Sequence, residues 1–356
     1  MTPARTPSPA PAPPPPPLPY TAKLHSCTLF GRESVHECSF AGRRGGGTGV
    51  ARRTATTRTA TKGDHMARAS ALVKPASQEL LHLEVLRTER LSPHWMRITL
   101  GGRDADAFEP MGYDQWFRIF LPNSGAHADE GLERIPAKAN KIFGYLRYLR
   151  IPDGMRPVMR NYTVRAYRAI GPSGGAEIDV DFVLHGSGPT AGPASRWAEV
   201  AKPGESVVII DEGLGFNPAR GVENLLLVAD ETGAPAVAGI CASLPESATG
   251  IALVEAPSAD DVLAFEAPAG VEVRWLIREN GEKPGTLALA ALEAMDAPAS
   301  PTHAFIVGEQ ALPTAARRHL VAQGFDKDRI SFVGYWRVGA ASPAPKSQQA
   351  QSGAVH

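Results

Sequence analysis

Cysteine is scarce in this 356-residue chain: Cys27, Cys38 and Cys241 are the only three. That scarcity excludes a disulfide scaffold, a four-cysteine zinc site and a cysteine-held iron–sulfur cluster. The sequence also lacks C-x-x-C, H-E-x-x-H and clustered His/Asp ligands, so no protein-held metal is expected. No run approaches the ~18 uncharged apolar residues of a membrane-crossing helix, so no membrane partner is expected either. Net charge is missing as well, with 37 Lys+Arg against 37 Asp+Glu. A nucleic-acid partner would call for a basic excess and is not expected. What remains is an ordinary globular composition, 43% apolar and 21% charged, over a length that suits about two domains.

The zero total hides an asymmetry. Residues 1–65 hold nine Lys/Arg and three Asp/Glu, a net of +6, so the rest of the chain carries −6. The first nineteen residues include ten prolines, a composition that favours polyproline II and has little to bury. Residues 1–76 are therefore expected to be a disordered extension. Three readings of this tail compete: an Arg-rich, acid-poor transit peptide, a proline-rich ligand for a partner domain, and a native start at Met66. The last is preferred, since Lys62-Gly63-Asp64 can be encoded by a purine-rich tract resembling a ribosome-binding site. A second disordered tail is expected over residues 341–356.

Between these ends two rhythms follow one another. The runs Leu80 to Leu86, Trp95 to Leu100, Gln115 to Leu121, Tyr162 to Tyr167, Glu177 to Leu184 and Ser206 to Asp211 are short, alternating and punctuated by Gly and Pro. They predict an antiparallel barrel or sandwich over residues 77–221. Ala139 to Leu149 breaks the pattern with helical spacing that puts Ile142, Tyr145, Leu146 and Leu149 on one face. From residue 222 to 340, apolar runs at Leu225 to Ala229, Ile251 to Glu255, Val271 to Ile277, Ala304 to Val307 and Ile330 to Gly334 alternate with helix-like stretches. Those stretches are Pro235 to Leu244, Ser258 to Phe265, Leu287 to Met295 and Pro313 to Gln323. Strand–helix alternation implies right-handed crossovers and a parallel α/β sheet.

The segment richest in chemistry is Arg160-Asn161-Tyr162-Thr163-Val164-Arg165. On a strand, Arg160, Tyr162 and Val164 share one face and Thr163 and Arg165 the other. A phenol beside a guanidinium suits an aromatic ring carrying a pyrophosphate. The same residues also describe a barrel strand with two exposed arginines, and from the residues alone both readings stay open.

Further along stand Asp181-Phe182-Val183-Leu184-His185-Gly186, Gly192-Pro193-Ala194-Ser195-Arg196-Trp197-Ala198 and Asp230-Glu231-Thr232-Gly233-Ala234-Pro235. Val307-Gly308-Glu309 and Gly334-Tyr335-Trp336-Arg337-Val338-Gly339 complete the series. Arg-x-Tyr-Thr-x-Arg resembles the flavin-binding signature of ferredoxin-reductase-like flavoproteins. In this order the motifs resemble the siderophore-interacting protein family, the FAD-dependent ferric-siderophore reductases, over about residues 78–340.

The resemblance implies a Greek-key FAD-binding barrel followed by a ferredoxin-reductase-like α/β domain of NAD(P) type. It implies FAD held by Arg160, Tyr162, Thr163, Val164, Arg165, Asp181 and His185, with Gly192, Pro193, Ala194 and Ser195 as the phosphate loop. Asp230, Glu231, Thr232 and Ala234 would lie on the FAD-proximal side of the second domain. No G-x-G-x-x-G stands at that turn, and two carboxylates are poor company for a pyrophosphate. NADPH or NADH is the expected electron donor, with a ferredoxin as the alternative. Arg118 and Arg337 are the expected bases for an anionic ferric siderophore. Val338 follows Arg337 where the family often has a second base, which favours a less charged chelate. The expected reaction is one-electron reduction of chelated Fe(III) in the cytoplasm, releasing Fe(II), with no catalytic acid–base residue. A generic flavin reductase serving a protein partner and a non-catalytic siderophore-binding module are the competing readings.

Overall fold

The computed structural model describes residues 72–123, 128–186, 191–279, 281–296 and 301–339. All of them belong to one compact unit, Asp64–His356. Within the extension expected over 1–76, Val73 is instead bridged to Leu214 and Lys74 pairs with Glu212; the expectations for residues 1–71, including the start at Met66, and for 341–356 lie outside the described residues.

Seven strands form the first sheet: β1 (Leu80–Ser92), β2 (Trp95–Gly101), β3 (Trp116–Leu121), β4 (Val158–Thr163), β5 (Ala166–Arg168), β6 (Glu177–Val183) and β7 (Ser206–Gly213). Their order is β4-β3-β7-β1-β2-β6-β5, and every pairing is antiparallel. The two edge strands, β4 and β5, are consecutive in sequence, so the chain itself joins the sheet's ends. At that seam Val164 N donates to Gln115 O on the β3 side and Arg165 N to Asp179 O on the β6 side, each at 2.8 Å. Closure removes the unpaired edges an open sheet would leave. The motif Arg160 to Arg165 is this seam.

Side chains alternate as a period of two demands. Phe117, Ile119 and Leu121 of β3 enter the barrel core with Ile98, Ile178 and Phe182. Phe120, on the other face, packs outside with Leu132, Ile135, Tyr148 and Ile151. Those outer residues belong to the β3–β4 connection, which carries helices α1 (Ala128–Glu133) and α2 (Ile142–Tyr148). Helix α3 (Pro193–Val200) connects β6 to β7 and packs against β4 and β6.

The second sheet is parallel, in the order β10-β9-β8-β11-β12. Its strands are β8 (Asn224–Ala229), β9 (Thr249–Ala256), β10 (Gly270–Ile277), β11 (Thr302–Glu309) and β12 (Ile330–Trp336). Helices α4 (Ala234–Ser243), α5 (Thr286–Glu293) and α6 (Ala311–Ala322) cover it. Leu225, Leu227 and Ala229 pack with α4 on one face, Leu226 and Val228 with α5 and α6 on the other. Burial on both faces is why β8 reads as an unbroken apolar run.

The helix expected over Ser258 to Phe265 does not form; only a 3₁₀ turn at Ala259–Asp261 is present. Asp261 is fully buried and accepts from Ser92 Oγ (2.6 Å), His94 N (3.0 Å) and Ser258 Oγ (2.5 Å). These bonds tie the turn to the β1–β2 hairpin. Leu263 and Phe265 then pack against the second core in extended chain.

Candidate functional site

At the barrel seam, polar groups are left waiting. Arg160 donates from Nη1 to Met159 O at 2.7 Å and has no carboxylate partner among the described residues. Burial lowers its guanidinium pKa, the mark of a cation short of counter-charge. Tyr162 lies with its ring centroid 4.1 Å from that of Phe182, which in turn sits 5.5 Å from Trp197 of α3. Burial raises the Tyr162 phenol. Helix α3 starts at Pro193 after an N-cap Gly192 that supplies no side-chain cap. Ser195, in the first turn, is buried, and its hydroxyl has no hydrogen-bond partner among the described residues. A Cβ on Gly192 would meet nothing within 4 Å, so the approach to this turn is open.

An unpaired guanidinium, a packed phenol and a buried orphan hydroxyl in the first turn of a helix form a donor set for a phosphate-bearing aromatic cofactor. FAD fits it. Trp197 packs in the core.

On the other face of the seam, Asp181 accepts from Arg97 Nε (2.7 Å) and Nη2 (2.8 Å), with Arg165 Nε at 3.6 Å. Expected as a cofactor ligand, Asp181 instead spends its oxygens on two guanidinium groups. Arg97, Arg165 and Asp181 line a cleft of about 240 Å³ together with Ala234, Pro235 and Trp275. Thr163 faces the phenol of Tyr335 from β12. Arg118 donates from Nε to Glu212 Oε1 at 2.7 Å, so its charge is already answered. Arg337 is exposed and forms no ion pair among the described residues.

The C-terminal edge of the parallel sheet is the opposite case. Asp230 is completely buried and accepts from Thr232 N (2.9 Å), Thr232 Oγ1 (2.5 Å), Glu309 N (2.6 Å) and Trp336 Nε1 (3.0 Å). Burial, with Glu231 beside it, pushes its carboxyl upward. Gly308 is what permits this approach: at φ +133° it has no Cβ, and one would stand 2.6 Å from the Asp230 carboxyl carbon.

Arg278 clasps Glu231 with both Nη atoms, Nη2 to Oε1 at 2.7 Å, and reaches Glu255 Oε2 at 3.0 Å. Burial opposes its charge, but the two carboxylates outweigh that and raise its pKa. Glu255 also accepts from Gly285 N and Ala288 N at the start of α5. His185 stacks on Trp336 (centroids 5.2 Å apart), with Nδ1 3.9 Å from Glu231 Oε1. The edge where a doubly wound sheet would receive a dinucleotide pyrophosphate is filled by its own carboxylates and the donors that answer them.

The family model described as siderophore-interacting protein matches residues 222–339, and that of the siderophore-interacting FAD-binding domain matches 84–214. The chain belongs to the siderophore-interacting protein family. The ferric vibriobactin reductase ViuB of Vibrio cholerae is 28% identical over 72% of this chain and 89% of its own length. The NADPH-dependent ferric-chelate reductase of Escherichia coli is 27% identical over 71% and 91%. A siderophore utilization protein from T. fusca shares the fold at TM-score 0.59 and 26% identity, covering 77% of this chain and 98% of that one.

In this siderophore-interacting protein, the structure gathers Arg160, Tyr162 and the Gly192–Ser195 turn around one face of the seam. Asp230, Glu231 and His185 meet at the sheet edge. Three contributors escaped the sequence reading. Arg278 follows an exposed-looking strand end and carries no motif. Tyr335 and Trp336 stand within Gly-Tyr-Trp-Arg, which signalled them without showing that they reach back to Thr163, Asp230 and His185.

Proposed function

We propose that this chain is an FAD-dependent reductase of ferric siderophores that releases Fe(II) for assimilation in the cytoplasm. The observation that carries it is the pairing of an unanswered, half-buried Arg160 with the orphaned Ser195 hydroxyl, on the barrel that the FAD-binding family model matches. Arg160 would hold the pyrophosphate, Ser195 and the α3 amides a phosphate oxygen, and Tyr162 the flavin ring, with Thr163 at the ring's polar edge. Bound FAD would supply the redox chemistry, taking a pair of electrons from a donor and delivering them singly to chelated Fe(III). The protein's own groups bind and orient; none is asked to move a proton. Arg337 is the base assigned to the anionic chelate, and Arg118, neutralised by Glu212, is not.

The reductase activities named for the Vibrio cholerae and Escherichia coli relatives support the reading, and the latter's NADPH dependence makes NADPH the donor to test first. An anaerobic visible spectrum of the purified protein decides. Oxidised-flavin bands that bleach on NADPH and return on adding a ferric siderophore are expected. Bleaching only by a reduced ferredoxin would reassign the donor, and bleached bands that no ferric chelate restores would leave a generic flavin reductase. No retention of added FAD would overturn the proposal.

A further inference from the structure

Helix α2 was expected to set Ile142, Tyr145, Leu146 and Leu149 on one face. The helix forms, and most of that face points outward. Gly144 and Tyr148 are buried, with Tyr145 half-buried, whereas Ile142 (69% exposed), Phe143 (79%), Leu146 (48%) and Leu149 (36%) face out. At ~100° per residue these four fill a continuous arc of about 120°, opposite the buried side.

The helix is fastened in this orientation. Tyr148 Oη donates to Pro157 O at 2.7 Å, and a Cβ on Gly144 would stand 1.8 Å from Lys138 O, so backbone lies directly beneath it. The arc cannot roll inward to cover itself.

Its own segment is one-signed, with Glu133 and the half-exposed Asp153 just outside it. From residue 134 to 150 the chain has five bases, Arg134, Lys138, Lys141, Arg147 and Arg150, and no acid. All five are exposed, and none forms an ion pair among the described residues. Residues 66–356 as a whole carry −6, so this cluster opposes the sign of the body that displays it. A second copy seated on a two-fold axis here would bring five positive charges against five, which disfavours self-association. An apolar arc in a segment with five exposed bases, of which only Lys141 has a side-chain hydrogen bond (to Gln78 Oε1, 2.8 Å) among the described residues, matches a surface that is negative outside and apolar just beneath.

We propose that α2 and its flanking bases dock this protein onto an anionic lipid bilayer. The helix is about 10 Å long, so it lies in the interface and crosses nothing. Among the described residues no helix is long and apolar enough to cross a membrane. The expectation of no membrane partner rested on crossing helices, which this mode of contact does not need.

The test is co-sedimentation of the full chain with vesicles of phosphatidylcholine alone or with about 30% phosphatidylglycerol. Binding to the anionic vesicles is expected, weakening as salt rises, and about tenfold poorer to the neutral ones. Phe143→Ser with Leu146→Ser should cut partitioning about tenfold. Arg147→Glu with Arg150→Glu should do the same, and FAD content should hold in both variants. Three outcomes overturn the proposal: no vesicle binding by the unaltered chain; equal binding by the chain and both variants, which would move the contact elsewhere; or a dimer that Phe143→Ser/Leu146→Ser dissolves.

Discussion

Among the described residues, Arg160 at the barrel seam has a carbonyl but no carboxylate, and Ser195 Oγ has no partner; at the edge of the parallel sheet Asp230, Glu231, Glu255 and Glu309 are all met by donors. Both places are rich in polar side chains, and sequence marks both as sites. Their hydrogen bonds separate them. A buried donor left unmet costs stability unless something else meets it, so the seam is built for a guest. The carboxylates of the sheet edge already have donors, so that edge holds itself together without a guest.

The sharpest way to break this comparison is Arg278→Leu. The side chain is only 9% exposed and answers Glu231 and Glu255, which are 1% and 0% exposed. Removing it strands two buried charges, a loss of about 3–5 kcal/mol and a fall in Tm on the order of 10 °C. Differential scanning calorimetry reads it. A shift under about 2 °C would mean the edge is not held by its own charges, and the contrast with the seam would collapse.

Arg160→Ala tests the other half, with affinity rather than stability as the readout. A charge-assisted bond to phosphate is worth about 1.5–3 kcal/mol, so FAD should bind roughly 10- to 100-fold more weakly. Equilibrium dialysis of the apoprotein measures it. The apoprotein's own Tm should not fall, because the guanidinium answers no carboxylate. Unchanged FAD affinity would remove Arg160 from the site.

How much of this contrast was legible beforehand follows from range. The barrel strands, the parallel strands and three of the four expected α/β helices could be read because their signals are local: alternation, apolar runs and Gly or Pro breaks. Ser258 to Phe265 could not, because Asp261 is claimed by Ser92 and His94, about 170 residues away in the chain. The orientation of α2 was hidden for a related reason. Its apolar spacing is real, but which side is covered depends on Gly144 meeting the Lys138 carbonyl. At the site, Arg160 and Tyr162 announced themselves through a motif, whereas Arg278 acquires its role only when β8, β9 and β10 align their ends.

A pH series sharpens the comparison at a carboxylate met by amides alone. Asp114 accepts from Phe216 N (2.9 Å) and Gly215 N, with no guanidinium, and burial raises its pKa from 3.8 to about 6. The folded state therefore holds this proton more tightly than the unfolded chain between those values, and Asp114 stabilises as pH falls from 7 to 5. Its share over that interval is about 1.4 kcal/mol. His303, lowered to about 4 by burial, acts with the opposite sign, so the quantity to compare is the difference between the chain and its Asp114→Asn variant. Urea midpoints at pH 7 and pH 5 should show the variant losing ground at the lower pH. A constant difference would mean Asp114 keeps its ordinary titration.

Ser195→Ala is the smallest effect and separates the two regions most cleanly. The residue is 6% exposed and its hydroxyl forms no hydrogen bond among the described residues, so in the apoprotein it carries a desolvation cost. Its removal should leave the apoprotein's Tm unchanged or raise it by a degree or two, on the scale of about 0.5 kcal/mol. FAD affinity should move the other way, falling about fivefold for the loss of one hydrogen bond near 1 kcal/mol. A satisfied hydroxyl of purely structural use would lower the apoprotein's Tm and leave FAD affinity alone. Opposite signs in thermal stability and flavin binding, from a single oxygen atom, are what a site that is incomplete without its cofactor requires.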